Sequence, residues 1–214
     1  MLKINILRSE GPDSFWQSYE LPFQVDQQNT ILTALLHIRQ ELDPTLSFRY
    51  GCRFHRCGMC AVQIDGKPRL ACREYLQQDQ RIAPLPGLPV LKDLVIDRRV
   101  LWPAYRQLQL YIPSYIPEEL PQLKVSQLYY QLARCSECLA CLSTCPRFLE
   151  KEPGFWGPWL FTKLALLHTD PRDKQDRFLQ AKNLGLSRCG DCLKCSCITG
   201  LPVRQALKMF LDKG

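Results

Sequence analysis

The stretch that decides the fold runs from Cys52 to Cys60 and reads CRFHRCGMC. Together with Cys72 it gives four cysteines at the Cys-x4-Cys-x2-Cys…Cys spacing that is typical of a plant-type [2Fe–2S] site. Thiolate sulfur is the ligand that such a cluster requires. The spacing therefore predicts a two-iron cluster held by Cys52, Cys57, Cys60 and Cys72.

Eight further cysteines form two more groups of four. The second group has the spacing of the bacterial [4Fe–4S] run, in which the fourth cysteine serves a neighbouring cluster. It consists of Cys135, Cys138, Cys141 and Cys145, followed by Pro146. The third group repeats the Cys-x2-Cys-x2-Cys core and supplies the partners that such sharing requires. It consists of Cys189, Cys192, Cys195 and Cys197. These runs predict a chain that carries electrons through several clusters.

Disulfide bonds and zinc sites are the two alternative explanations for these cysteine groups. Disulfides are typical of small secreted domains, whereas 214 residues can bury a substantial core. Lys3, Arg8 and Glu10 interrupt the segment where a signal peptide needs an apolar run, so we expect a reducing, cytoplasmic location. Cys-x2-Cys pairs also build zinc sites, and this alternative stays open. Zinc ribbons, however, rarely carry runs of three or four cysteines that end in Cys-Pro.

The formal net charge of +7 does not predict nucleic-acid binding. Twelve thiolates around three oxidised cores of about +2 each would reduce it to about +1. Basic residues are concentrated around the first and third cysteine groups. They could offset the negative charge of a cluster and raise its reduction potential, or they could form a solvated surface or a docking patch. Both interpretations stay open. These basic residues are Arg49, Arg53, Arg56, Arg188 and Lys194.

Residues 1–97 predict a mixed sheet with one helix. Apolar residues alternate along 2–6 and again along 19–23, which predicts an opening hairpin. Asn29 or Thr30 is expected to cap the helix that follows, because apolar residues recur at helical spacing directly after them.

A second hairpin returns the chain to the first cysteine group. Strands are predicted at 61–64 and 69–71, with Asp65-Gly66 as the tight turn between them. This arrangement brings Cys72 back to the loop that holds the other three cysteines. A small mixed sheet with one helix and an iron–sulfur loop predicts a β-grasp ferredoxin domain over the first 97 residues.

The loop of the first cysteine group has the residues that cluster binding needs. Gly51 and Gly58 permit close backbone approach and unusual dihedral angles, so that backbone amides can point at the sulfurs. His55 is not expected to be a ligand, because Rieske-type ligation needs two histidines on one iron and all four cysteines are present.

Residues 98–214 predict a helical domain. Segments 120–132, 159–168 and 202–211 carry helical periodicity, and both later cysteine runs lie between or at the ends of these segments. A two-cluster α-helical ferredoxin domain follows. The fold class is therefore expected to be α+β, with the β-grasp domain first and the helical domain second.

Contact with a membrane is expected only through a partner. No apolar run approaches the ~20 residues that a membrane-spanning helix needs. An aromatic segment has two open interpretations, core packing between helices or contact with another subunit or membrane anchor. It contains Phe155, Trp156, Trp159 and Phe161. Any attachment to the inner face of the cell membrane would thus be peripheral.

The order of these motifs resembles the iron–sulfur subunit of succinate dehydrogenase and fumarate reductase, over nearly the whole chain. The matching segments are 52–61, 65–66, 70–72, 84–86, 89–97, 135–146, 157–158 and 170–173. The resemblance implies that electrons pass between an FAD-containing flavoprotein subunit and a second partner, with the [2Fe–2S] cluster nearest the flavin. The second partner would be a membrane anchor with quinone, or a subunit that carries thiols or iron–sulfur clusters.

One departure from the family concerns the clusters. The third cluster of the family is usually [3Fe–4S], because the middle position of the last cysteine group is not cysteine, and here Cys192 fills it. The resemblance then implies two [4Fe–4S] clusters. The first is held by Cys135, Cys138, Cys141 and Cys197, and the second by Cys145, Cys189, Cys192 and Cys195. Because the spacing from Cys195 to Cys197 is shorter than in the family, an exchange of roles between them stays open.

A second departure concerns the electron acceptor. Residues 147–150 are Arg, Phe, Leu and Glu, where members of the family commonly carry a small polar residue and then tryptophans beside the quinone. This difference weakens the quinone interpretation. A thiol or disulfide reductase module, a ferredoxin or another iron–sulfur subunit is the alternative acceptor.

No catalytic residues are predicted. The chain offers no Ser-His-Asp order and no phosphate loop, and its histidines have no evident carboxylate partner. We therefore expect a non-catalytic electron-transfer subunit of a succinate dehydrogenase or fumarate reductase-like complex. The alternatives are an adaptor in a heterodisulfide-reductase-like assembly and a redox or iron-sensing regulator, although no DNA-reading motif supports the last.

Three complete four-cysteine sets predict the metal content. Protein purified without air should be brown and contain about 10 iron atoms per chain, because one two-iron and two four-iron clusters are expected. Elemental analysis measures this directly. Stoichiometric zinc with little iron would refute the iron–sulfur interpretation.

Overall fold

A computed structural model describes residues 1–10, 13–25, 28–112, 124–190, 192 and 194–212. The chain divides into two compact units. The first contains residues 1–97 and 136–143, and the second contains residues 98–135 and 144–214. The short segment 136–143 therefore packs with the amino-terminal part of the chain, although it lies in the second cysteine run.

The first unit is built on a five-stranded mixed sheet of order β2-β1-β5-β3-β4. The strands are β1 (Leu2–Glu10), β2 (Asp13–Leu21), β3 (Ala61–Ile64), β4 (Lys67–Leu70) and β5 (Gln80–Ala83). The predicted opening hairpin is confirmed, with Ile4 opposite Tyr19 and Leu2 opposite Leu21. These four side chains are buried, as the two-residue period requires.

Strand β5 is the middle strand of the sheet. It runs parallel to β1 and antiparallel to β3, and so joins the two hairpins. The sequence pattern predicted no strand at these positions. Four residues are too few to reveal which distant strands they pair with, because that choice depends on tertiary packing.

Helix α1 (Ile31–His37) buries Ile31, Leu32, Ala34 and Leu35 and continues as a π-helical turn, Ile38–Leu42. The predicted cap is confirmed, since Thr30 Oγ1 accepts a hydrogen bond from Thr33 N–H. The Leu32 N–H donates to Ala71 O (2.9 Å), one residue before Cys72. The helix therefore holds the segment that supplies the last cysteine of the first set.

The second hairpin also forms as predicted, with β3 and β4 joined by Asp65-Gly66. Both turn residues have positive φ, +48° and +77°, as a two-residue hairpin turn requires. The Ala71 N–H donates to Cys60 O at 3.0 Å, so the hairpin brings Cys60 and Cys72 next to each other. Two further strands, β6 (Val90–Lys92) and β7 (Val95–Ile96), form a separate small hairpin.

A buried ion-pair network fixes the segment that leads from the π-helical turn into the cysteine loop. Arg8 Nε lies 3.1 Å from Asp93 Oδ1, and Arg8 also pairs with Asp43. Asp93 Oδ2 accepts a hydrogen bond from Ser47 N–H at 2.8 Å. Because Ser47 precedes Cys52 by only five residues, this network anchors the start of the loop.

The second unit is helical. Its helices are α2 (Leu101–Gln107), α3 (Gln127–Leu132), α4 (Pro146–Leu149), α5 (Gly157–His168), α6 (Arg177–Asn183) and α7 (Val203–Leu211). The predictions at 159–168 and 202–211 are confirmed. Helix α3 begins inside the predicted segment 120–132, of which residues 120–123 lie outside the described residues. The short helices α4 and α6 were not predicted, because one or two turns carry too little periodicity.

Helix α5 is the centre of the second unit and is buried on nearly every side. Trp159 and Phe161 are fully buried and Phe155 is 7% exposed, so core packing is the correct interpretation for these three aromatic residues. The ring of Phe210 on α7 lies 5.5 Å from that of His168 at the end of α5. These contacts form part of the core of the second unit.

The segment 170–173, part of the family resemblance, has a structural role. Asp173 forms a fully buried ion pair with Arg177 at 2.7 Å, and Asp170 accepts a hydrogen bond from Arg172 at 2.7 Å. These pairs set the entry into α6. Across the described residues, no helix combines the length and the apolar character needed to span a membrane.

Candidate metal centres

The loop of the first cysteine set directs backbone amides at sulfur, as the sequence predicted. Cys52 Sγ accepts hydrogen bonds from the N–H groups of Cys57 (3.2 Å) and Phe54 (3.3 Å). The N–H groups of Cys57, Arg56 and Phe54 lower the pKa of the Cys52 thiol to about 6. The loop therefore stabilises a thiolate at Cys52 before any metal is considered.

The remaining thiols of the first set lie close to one another. Burial, together with the nearby thiols of Cys72 and Cys57, raises the pKa of the Cys60 thiol to about 12. The Cys57 thiol in turn accepts a hydrogen bond from the N–H of Cys52 at 3.4 Å. The structure therefore brings together all four predicted ligands, Cys52, Cys57, Cys60 and Cys72.

Two non-glycine residues of this loop have left-handed backbone conformations. They are Arg53 (φ +55°) and His55 (φ +59°), and such angles are uncommon for residues with a Cβ atom. The side chain of His55 is exposed. Gly51 also matters, because a Cβ atom there would lie 3.2 Å from Cys57 Sγ.

Arginine and aromatic side chains alternate beside the loop. The guanidinium of Arg39 lies 4.8 Å from the ring centroid of Phe48 and 5.6 Å from that of Tyr50, and Arg53 lies 5.5 Å from Tyr50. Such cation–π contacts fix the residues that flank Cys52. Sequence reasoning missed Arg39 and Tyr50, because only the fold places the π-helical turn against the loop.

The third cysteine group meets the last cysteine of the second group inside the helical unit. Four thiols line one cavity, and they belong to Cys145, Cys189, Cys192 and Cys195. Burial, together with the charges of the other three thiols, raises the pKa of the Cys189 thiol to about 12. Burial likewise raises the pKa of Cys145 and Cys195.

Basic side chains surround this cavity. Arg188 and Lys194, which the sequence suggested, line it, and so does Arg147. The hydrogen bond that Arg147 donates to Glu152 and, to a smaller extent, the charges of two nearby thiolates raise the pKa of Arg147. Arg204 donates from Nε to the backbone oxygen of Cys195 at 3.2 Å. The charge roles of Arg147 and Arg204 were missed, since only the fold brings α4 and α7 beside the third cysteine group.

The remaining four-cysteine set stays a prediction. Cys138 and Cys141 belong to the first unit, while Cys135 and Cys197 belong to the second. Cys197 Sγ lies 3.1 Å from Thr199 Oγ1 and accepts a hydrogen bond from Thr199 N–H at 3.4 Å. The exchange of roles between Cys195 and Cys197 likewise stays open.

The two thiol clusters fit iron–sulfur chemistry by their donor sets. Each gathers four sulfur donors, and amide or cationic groups lie beside them to offset the negative charge of a cluster.

The comparisons with known proteins find iron–sulfur proteins and subunits of fumarate reductase. Residues 3–103 match the family described as a 2Fe-2S iron-sulfur cluster binding domain. The fumarate reductase iron-sulfur subunit of Haemophilus influenzae is 32% identical over 84% of this chain and 77% of that protein. A fumarate reductase (CoM/CoB) subunit of Methanothermobacter marburgensis is 32% identical over 92% of this chain and 40% of that protein.

A solved structure has the same fold. A chain of the Sdh1 complex of Mycobacterium smegmatis in the apo form superposes with a TM-score of 0.84 at 25% identity, over 99% of this chain and 94% of that one. The predicted α+β class, with a β-grasp ferredoxin domain followed by a helical ferredoxin domain, is confirmed. The chain spans only 38–40% of the length of three curated relatives that it matches.

The position of Arg147 leads to a test of the third cysteine group. Arg147→Gln should lower the reduction potential of the cluster at Cys145, Cys189, Cys192 and Cys195 by tens of millivolts, because a cation beside the site stabilises the added electron. A redox titration followed by electron paramagnetic resonance measures the shift. Lys182→Gln, which removes an exposed cation on α6, should leave this potential unchanged. An equal potential in the Arg147→Gln and parent proteins would contradict the placement of this charge.

Proposed function

We propose that this chain, which belongs to the family of iron–sulfur subunits of fumarate reductase and succinate dehydrogenase, relays electrons between a flavoprotein and a second partner. The observation that carries the proposal is the convergence of four thiols at each of two separate places in one chain. Thiolate-bound iron–sulfur clusters supply one-electron transfer there. The chain itself contributes ligands, charge compensation and spacing.

Three clusters form the route in this proposal. A [2Fe–2S] cluster occupies the loop of Cys52 to Cys60, and two [4Fe–4S] clusters follow. The first uses Cys135, Cys138, Cys141 and Cys197, and the second uses Cys145, Cys189, Cys192 and Cys195. The thiol of Cys192 supports the four-iron assignment, since it lines the same cavity as the other three ligands.

An FAD-containing flavoprotein is proposed to dock on the loop of the first cysteine set. Phe54 is 78% exposed at the tip of this loop, and Arg53 and Arg56 are exposed beside it. An exposed aromatic residue flanked by arginines is the composition that protein interfaces favour. Docking there would bring the flavin close to the two-iron cluster.

The second partner is proposed to be a protein module that carries thiols or iron–sulfur clusters. Arg147 pairs with Glu152 at 2.8 Å, and no tryptophan follows it at positions 148–150, where the family commonly meets quinone. One relative is named for CoM/CoB together with fumarate, which supports an acceptor other than quinone. A quinone-bearing membrane anchor is the alternative, and either partner would make any membrane attachment peripheral.

The names of the relatives do not favour the other two hypotheses. Those names refer to fumarate reductase and succinate dehydrogenase, and none of the named functions is regulation. A heterodisulfide-reductase-like adaptor would use the same clusters, and the identity of the copurifying partner separates it from the proposed function.

Purification of the tagged chain without air, from the cells that make it, tests the function. A flavoprotein should copurify, and the complex should oxidise succinate or reduce fumarate. The isolated chain should do neither, because its sequence shows no flavin-binding motif and no acid–base constellation for the reaction. Substrate turnover by the isolated chain without flavin would refute the proposal.

Replacement of Cys192 tests the third cluster. Cys192→Val removes the fourth thiolate and should favour a three-iron cluster, whose oxidised form gives a sharp paramagnetic resonance signal that the parent lacks. Spin quantification of air-free samples measures this signal. A parent protein that already shows about one such spin per chain would exclude Cys192 as a ligand.

A further inference from the structure

Gly58 is the point where the loop of the first cysteine set contacts the second cysteine run. A Cβ atom at this position would lie 2.5 Å from Cys138 Cβ, 2.5 Å from Ser136 Oγ and 3.2 Å from Ser136 Cβ. All three residues belong to the first compact unit. Only glycine, which has no side chain, therefore fits at this position between the loop and Cys138.

Two separate structural demands require glycine at position 58. Its φ of +66° lies in the left-handed region that favours glycine, and its side-chain position is already filled by another segment. Gly66 meets only the first demand, because its φ is +77° and nothing lies within 4 Å of its Cβ position. The comparison separates backbone conformation from close packing, and of these two glycines only Gly58 combines both.

We propose that Gly58 is a positioning residue that sets the separation between the [2Fe–2S] cluster and the cluster that Cys138 ligates. This inference rests on the proposed function, which makes Cys57, Cys60 and Cys138 cluster ligands. In that function an electron would pass between the two-iron and the four-iron cluster, with no bond formed or broken. The backbone at Gly58, between Cys57 and Cys60, touches Cys138 directly, so the electron crosses no intervening side chain.

Alanine at position 58 would open this contact. Its Cβ would stand 2.5 Å from Cys138 Cβ, whereas ordinary contact begins at 3.4 Å, so either the loop or the Cys138 segment must move. All four cysteines of the two-iron cluster are still present in this variant. The expected change is therefore a greater distance between two clusters that both still assemble.

The magnetic interaction between the clusters measures this distance. A reduced four-iron cluster speeds the spin relaxation of a nearby reduced two-iron cluster, and the effect falls steeply with separation. In the full chain with all clusters reduced, Gly58→Ala should lower the microwave power that half-saturates the two-iron signal severalfold, at unchanged iron content. Gly66→Ala, the matched control, should saturate like the parent.

Several outcomes overturn the inference. One is Gly58→Ala protein that carries the parent's iron and saturates like the parent, and another is an equal loss of relaxation in Gly66→Ala. A parent chain without iron–sulfur signals would instead refute the proposed function itself, so the two failures are distinguishable.

A second variant tests the same contact from the opposite side. If Gly58→Ala does not accumulate as folded protein, Ser136→Val adds volume at a half-buried residue whose buried Oγ already approaches the position that a Cβ atom at residue 58 would take. It leaves the backbone at Gly58 free of strain. The same severalfold fall in half-saturating power is expected, and saturation like that of the parent would overturn the inference.

Discussion

Burial of cysteine thiols is the constraint on which the rest of this structure depends. Desolvation is the largest cause that raises the pKa of the Cys60 and Cys189 thiols to about 12, which disfavours their thiolate forms unless positive charge lies nearby. Bound iron supplies that charge, and its binding is therefore coupled to the stability of the fold. Several helices of the second unit are only one or two turns long and would not be stable alone. They therefore depend on the fixed contacts that bound iron provides.

The two thiol sites offset negative charge by different means. At Cys52 the compensation comes from backbone amides of a tight loop, which need no cation and allow the site to lie near the surface. At the third group, burial is deeper and arginine side chains, Arg147 among them, approach the thiols. Amide dipoles and full charges tune a cluster through the same electrostatic field, so the two sites can differ in reduction potential although both use cysteine alone.

An electron carrier also needs fixed distances, and two features of the first unit provide them. The Arg8–Asp93 pair and the Asp93 contact with Ser47 hold the start of the cysteine loop, and Gly58 brings the far side of the same loop against Cys138. A buried ion pair of this kind contributes little net stability but strongly penalises any arrangement that separates it. The loop is thus held at both ends by contacts to distant parts of the chain.

The amino-acid sequence alone was enough to predict the α+β class, the opening hairpin, the capped helix and the four cysteines that the structure brings together at the first site. Each of these depends on neighbours a few residues apart, namely side-chain periodicity, a capping threonine and the spacing of cysteines around one loop. Only the tertiary structure decided that β5 lies between β1 and β3, that Arg147 and Arg204 approach the third cysteine group, and that Cys138 packs on Gly58. Those contacts join segments that are far apart along the chain, and their pairing is selected by packing, which no local pattern records.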